Sequence, residues 1–152
     1  MSKLEISMTP EEMDAYLREQ KVARVATASA DGEPHVVPLW FVWLERTLFL
    51  NSTLGNVTVE NMLRSGRATA TVDDGHTYDD LRGVTLHGNV QQADDEPRIP
   101  DVDRAWSDKY LGGNPTPYSR WRNRAWFRLD PDKIASWDFR KIPEARARQK
   151  GG

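Results

Sequence analysis

The stretch DGEPHVVPLWFVWLERTLFLN, residues 31–51, decides the fold class. Asp31-Gly32 is a hairpin-turn pair, and from His35 to Leu44 the residues Val37, Leu39, Phe41 and Trp43 fall at alternate positions, on one face of a strand. Upstream, Val22 to Ser29 is a run of small and β-branched residues that forms the first arm of the hairpin. Downstream, Glu45-Arg46 makes a second tight link to a third strand, Thr47 to Asn51. Strands joined this closely must be antiparallel, because parallel neighbours need a crossover of a dozen residues or more.

Before this sheet, Thr9, Pro10 and Glu12 form a capping box with proline at the first helical position, and Met13, Tyr16 and Leu17 share one face. After it, Val59, Met62 and Leu63 take helical spacing until Gly66. Strand chemistry returns from Arg67 to Asp73 and again from Val84 to Gln91, where the alternate positions are polar. A third helix is expected within Asp94–Gly113, on the face of Val102, Ala105, Trp106 and Tyr110. Two last strands are expected around Ala125–Leu129 and Ala135–Phe139, with Pro131-Asp132 turning between them. Six to seven antiparallel strands with inserted helices favour a small barrel, since closure removes exposed edges. The expected class is therefore mainly β, a small barrel in a single domain over residues 1–152, with residues 1–8 and 144–152 as flexible ends.

Composition bounds the partners. Twenty-one basic and twenty-three acidic residues leave a net charge of −2, which gives no general attraction to nucleic acid or an anionic membrane surface. Without cysteine there is no disulfide, thiolate metal site or thiol nucleophile. No segment has the apolar run of a signal peptide or a membrane span, which gives a cytoplasmic expectation. Six tryptophans are many for one small core and suggest aromatic surface covered by a second subunit.

Three motifs in this order, DGEPHVVPLWF (31–41), YDDLRGVTLHG (78–88) and SWDFRK (136–141), resemble the pyridoxamine-phosphate-oxidase-like split-barrel superfamily, in particular its flavin and deazaflavin oxidoreductases. The resemblance runs from the Thr9 helix to Lys141. It implies a homodimer with two cofactor sites at the subunit interface. The flavin or deazaflavin ring would lie against Pro38, Leu39 and Trp40, and the ribityl phosphate by the turn and helix after the third strand, at Ser52, Thr53, Asn56, Thr58 and Asn61, with Trp137 and Lys141 as further contacts. Coenzyme F-420, a deazaflavin, or FMN would be the cofactor, passing a hydride to an unsaturated small molecule.

The segment NSTLGNVTVENM, residues 51–62, departs from that pattern. In register on Asn51, Gly55 and Asn61, the usual basic positions fall on Leu54, Thr58 and Glu60. Charge-assisted hydrogen bonds are roughly twice as strong as neutral ones, so three lost cations weaken a phosphate site. The remaining hydroxyls and the helix N-terminus can still bind an anion, or Ser52, Thr53 and Asn56 can simply cap the helix. The second case describes a barrel without redox cofactor that binds or rearranges an aromatic or polyketide-like ligand.

His35, His76 and His87 have no metal-ligand spacing, and no metal is expected. His87, on a polar strand face, is a candidate proton donor or a histidine bonded to a neighbour. Tyr78 and Arg82 flank a loop of the kind that rims barrel mouths; they contact substrate, or Arg82 joins Asp79 and Asp80 in a solvated ion-pair cluster. YSRWRNRAWFR, residues 118–128, mixes four arginines with two tryptophans, a nucleic-acid-like look at odds with the charge balance. These arginines pair with Asp94, Asp95 and Glu96, or reach the anionic tail of a deazaflavin.

Overall fold

The computed structural model describes residues 3–152. Its elements are α1 (Pro10–Glu19), β1 (Ala23–Ala28), β2 (Pro34–Leu39), β3 (Phe41–Leu44), β4 (Thr47–Thr53), α2 (Val57–Ser65), β5 (Arg67–Asp74), β6 (Arg82–Gln92), α3 (Ile99–Tyr110), β7 (Arg124–Asp138) and α4 (Ile142–Gly151). The seven strands form one sheet in the order β2-β1-β5-β6-β7-β4-β3, and every pairing is antiparallel. The outermost strands, β2 and β3, are consecutive pieces of one chain, so the sheet curls round until its ends meet at Trp40. A mainly β barrel is what the alternating pattern implied, and its split form is what the family resemblance implied.

Local chemistry explains the caps. The Thr9 hydroxyl accepts from the Glu12 amide at 3.2 Å while the Glu12 carboxylate accepts from the Thr9 amide at 2.9 Å. Asn56 caps α2 by accepting from the Val59 amide at 2.8 Å. Glu45 and Arg46 turn β3 into β4 with φ of 48° and 59°, the left-handed pair that a two-residue hairpin requires. Inside the barrel, Val25, Phe41, Leu48, Leu50, Val72, Val84, Leu86, Phe127 and Leu129 are buried together with Met13, Tyr16 and Leu17 of α1 and Val59 and Met62 of α2. A second cluster lies on the outer side of β3, β4 and β7, where Val42, Phe49 and Trp126 meet Val102 and Trp106 of α3.

Three expectations are corrected. The strand read as His35–Leu44 breaks at Trp40: β2 pairs with β1 and β3 with β4, so the chain leaves one ladder and enters another. Pro131-Asp132 does not turn, because β7 runs through it as one fifteen-residue strand. His87 pairs with Lys133 and Gly88 with Pro131, leaving Asp132 as the extra residue of a β-bulge, held through its carboxylate to Arg67 at 2.5 Å. The bulge needs glycine at 88, since a Cβ there would stand 2.1 Å from the Asp130 carbonyl oxygen. The third difference lies beyond Glu144, a tail expected to be frayed. It forms α4, started by Pro143 in its first turn and seated through buried Ile142 and Ala145.

Candidate functional site

The barrel is split where β2 and β4 part. Phe41 pairs with Leu50. From there the chain runs back through Trp40, Leu39 and Pro38 on one side and on through Asn51, Ser52 and Thr53 on the other, with no ladder joining β2 to β4 among the described residues. The slot between these trios, a break in the ladder, brings together five of the ten positions expected for a cofactor. Trp40 is 46% exposed and stacks on Tyr110, with ring centroids 4.3 Å apart and planes within 1°. Tyr110 also clamps the bend, accepting from the Phe41 amide at 3.0 Å and donating to the Lys21 carbonyl at 2.8 Å. Burial raises its phenol to about 12, so it stays a neutral donor. Lys109 sits over the Phe41 ring and donates to the Leu17 and Phe41 carbonyls; burial lowers its ammonium to about 8.

Trp106 continues this aromatic wall at 4.9 Å from Tyr110, 5.7 Å from Trp121 and 5.3 Å from Trp126. It is 1% exposed, yet its indole N–H has no hydrogen-bond partner among the described residues. Arg124 stacks on Trp121 at 4.7 Å and donates through Nε to the Asn51 side chain at 2.8 Å. Since Thr53 pairs with Arg124, the wall ends beside the start of α2.

At that start, Ser52 is buried and accepts from the Asn56 amide group at 3.2 Å, Asn61 is buried and donates to Thr27 at 3.1 Å, and Thr58 is 2% exposed. Asn56, Ser52 and Asn61 therefore serve helix capping and packing within the chain, and Thr53 is the exposed hydroxyl. Leu54 is partly buried against the barrel core, and Thr58 is buried in the first turn of α2. Glu60 points a carboxylate to solvent.

The other expected residues lie elsewhere. Arg82 donates to Asp74 at 2.9 Å and Glu19 at 3.1 Å rather than to Asp79 or Asp80, and it covers the Tyr16 ring. Tyr78 is 67% exposed against Phe139. Trp137 lies over Gly83, and Lys141 is tied to the Ser7 carbonyl and the Glu12 carboxylate. This group gathers at the Asp138 end of β7, whereas Arg124 stands at the other end of the strand. His87 lies between them on the outer barrel face, its Nδ1 2.9 Å from the Thr69 hydroxyl. Sequence reasoning missed Tyr110 as part of the slot, whereas Arg124 belongs to the arginine group of residues 118–128 that was expected to pair with acidic residues or reach an anionic cofactor tail. Of those arginines, Arg128 does pair with Glu96, at 2.6 Å.

Comparison with known proteins agrees with this architecture. Residues 9–138 match the family model described as pyridoxamine 5'-phosphate oxidase. An F420H(2)-dependent biliverdin reductase of Mycobacterium tuberculosis is 29% identical over 105 residues, 68% of this chain and 73% of that protein. Among solved structures, the conserved hypothetical protein Rv2991 of M. tuberculosis superposes with a TM-score of 0.82 at 23% identity, over 94% of this chain and 92% of its own. An FAD-binding protein of Mycobacterium smegmatis does so at 0.66 and 21%, over 88% and 98%. The family match covers every strand of the barrel and both walls of the slot, and the chain belongs to the pyridoxamine 5'-phosphate oxidase family.

Proposed function

We propose that this protein is a flavin- or deazaflavin-dependent reductase, with coenzyme F-420 favoured over FMN, working as a homodimer on a conjugated small molecule. The observation that carries the reading is the slot. A half-exposed Trp40, fixed by Tyr110 and flanked by Pro38 and Leu39, offers a planar apolar surface of the right kind for a tricyclic ring. A guanidinium without a carboxylate stands at the end of the same wall. The residues present thus fit a ring with an anionic tail, and the relative that uses reduced F420 supports deazaflavin. These features, with the F420H(2)- and FAD-linked relatives, favour this reading over a cofactor-free barrel.

Bound in the slot, such a coenzyme supplies hydride. The chain's own residues do the rest: Pro38, Leu39 and Trp40 orient the ring, Ser52, Thr53, Asn56, Thr58 and Asn61 shape the turn below it, and the aromatic wall excludes water. The outer face of the barrel supports a second copy. Val36 is 63% exposed beside Ala26 and Ala28, and the polar groups of the neighbouring strands are satisfied in pairs, Thr71 with Thr85 and Thr69 with His87. A copy packed on that face would bring Tyr78, Arg82, Trp137 and Lys141 towards the slot of its partner, with His87 as the proton donor. The test is light scattering for mass, followed by anaerobic oxidation of the reduced deazaflavin coenzyme with conjugated acceptors, biliverdin first. A dimer that oxidises the coenzyme in the presence of an acceptor supports the reading. A monomer that binds reduced coenzyme and passes hydride to none of them contradicts it.

A further inference from the structure

Resting on the cofactor reading above, we propose that Arg124 supplies from β7 the oxyanion-binding cation that the start of α2 lacks, and so holds the phosphate of the coenzyme. Arg124 is placed for this by two backbone constraints. It pairs with Thr53 across the β4–β7 ladder, and the Leu54 amide donates to the Asn123 carbonyl at 2.6 Å. The guanidinium therefore flanks the turn between β4 and α2.

Its bonding is that of a held but unneutralised cation. Nε donates to the Asn51 side chain at 2.8 Å, Nη2 reaches the Asn51 carbonyl at 3.4 Å, and Cζ stands 4.7 Å from the Trp121 ring centroid. Among the described residues no carboxylate pairs with it and Nη1 has no partner. Arg128 by contrast pairs with Glu96 and Asp130, and Arg98 with Glu96, while Arg120 and Arg122 are exposed. Desolvation alone lowers its pKa, the sign of a charge taken partly from water without an anion in return. A planar fork with free N–H groups matches a phosphate's oxygens. Leu54 is partly buried against the core and Thr58 is buried, while Arg124 reaches the same turn from the opposite strand.

The test compares ligands that differ by the phosphate: FMN against riboflavin, and coenzyme F-420 against its phosphate-free deazaflavin core, by tryptophan fluorescence quenching with the wild type, Arg124→Gln and Arg124→Lys. Arg124→Gln should weaken the phosphate-bearing member by about tenfold or more and leave the phosphate-free member within about twofold. Arg124→Lys, which keeps the charge but not the fork, should fall between. Inorganic phosphate should raise the melting temperature of the wild type and not of Arg124→Gln. Equal weakening of both members would mean a structural role, and unchanged binding would remove Arg124 from the site; either overturns the inference and leaves the cofactor reading standing. Arg124-dependent stabilisation by phosphate without binding of any coenzyme would keep the anion site and sink the cofactor reading. No response to phosphate and no coenzyme binding would overturn both.

Discussion

Substituting Gly88 by alanine should be among the most damaging single-methyl changes in the barrel. The added Cβ would stand 2.1 Å from the Asp130 carbonyl oxygen, 2.7 Å from its carbon and 2.9 Å from the Pro131 Cα. All three are backbone atoms, so no rotamer change relieves the contact. An unstrained carbon–oxygen approach is more than 3 Å, so β6 and β7 must separate by about 1 Å at the bulge, against the eleven-pair register that holds them. Overpacking of this kind costs about 1–3 kcal/mol, and the rigid neighbours put this case at the upper end, near 3 kcal/mol. For a chain of this length that is a fall in melting temperature of about 6–12 °C. The comparison is Gly55→Ala, at φ 90° with no atom within 4 Å of the new Cβ. Its cost comes from backbone conformation alone, about 1 kcal/mol. Urea unfolding of the two variants measures the difference. A Gly88→Ala protein within about 0.5 kcal/mol of the wild type would refute the continuous, bulged β7 and restore a turn at Pro131-Asp132.

Two further outcomes follow from polar ties around the second core. Tyr110→Phe strands the Phe41 amide at the strand switch and should cost about 1–3 kcal/mol in urea unfolding, with Trp40 more mobile by fluorescence anisotropy. The Arg98 guanidinium, helped by Arg128, holds the Glu96 carboxyl at about 2 against an ordinary 4.5. Its folded value is depressed, so its contribution is complete above pH 4.5 and is lost as pH falls towards 2. Stability measured at pH 5.5 and pH 3 should drop less in Glu96→Gln than in the wild type; equal drops would remove Glu96 as an acid-sensitive tie.

Much of the barrel was legible because its signals are local. The capping box at Thr9, the Asp31-Gly32 turn and the alternation of Val37, Leu39, Phe41 and Trp43 each depend on neighbours in sequence. The break at Trp40 was not legible, since alternation continues through it; the switch is made by Tyr110 and Lys109, about seventy residues on. Pro131-Asp132 carries turn chemistry, and what overrides it is the missing side chain of Gly88 across the ladder. Helix α4 has no apolar stripe to announce it beyond Ile142 and Ala145. At the proposed site, Pro38–Trp40 and Ser52–Thr53 are expected together because one resemblance spans both. Arg124 comes beside Thr53 through a strand pairing that residue spacing does not reveal.

The central claim, that the slot beside Trp40 takes a flavin or deazaflavin ring, is tested most directly by equilibrium titration of the protein with coenzyme F-420 and with FMN, following tryptophan fluorescence in the wild type and in Trp40→Leu. Saturable quenching by the deazaflavin coenzyme, tighter than by FMN and weakened about tenfold or more in Trp40→Leu, is the expected result. Absence of binding by either coenzyme at tens of micromolar, or binding that Trp40→Leu leaves unchanged, would contradict it.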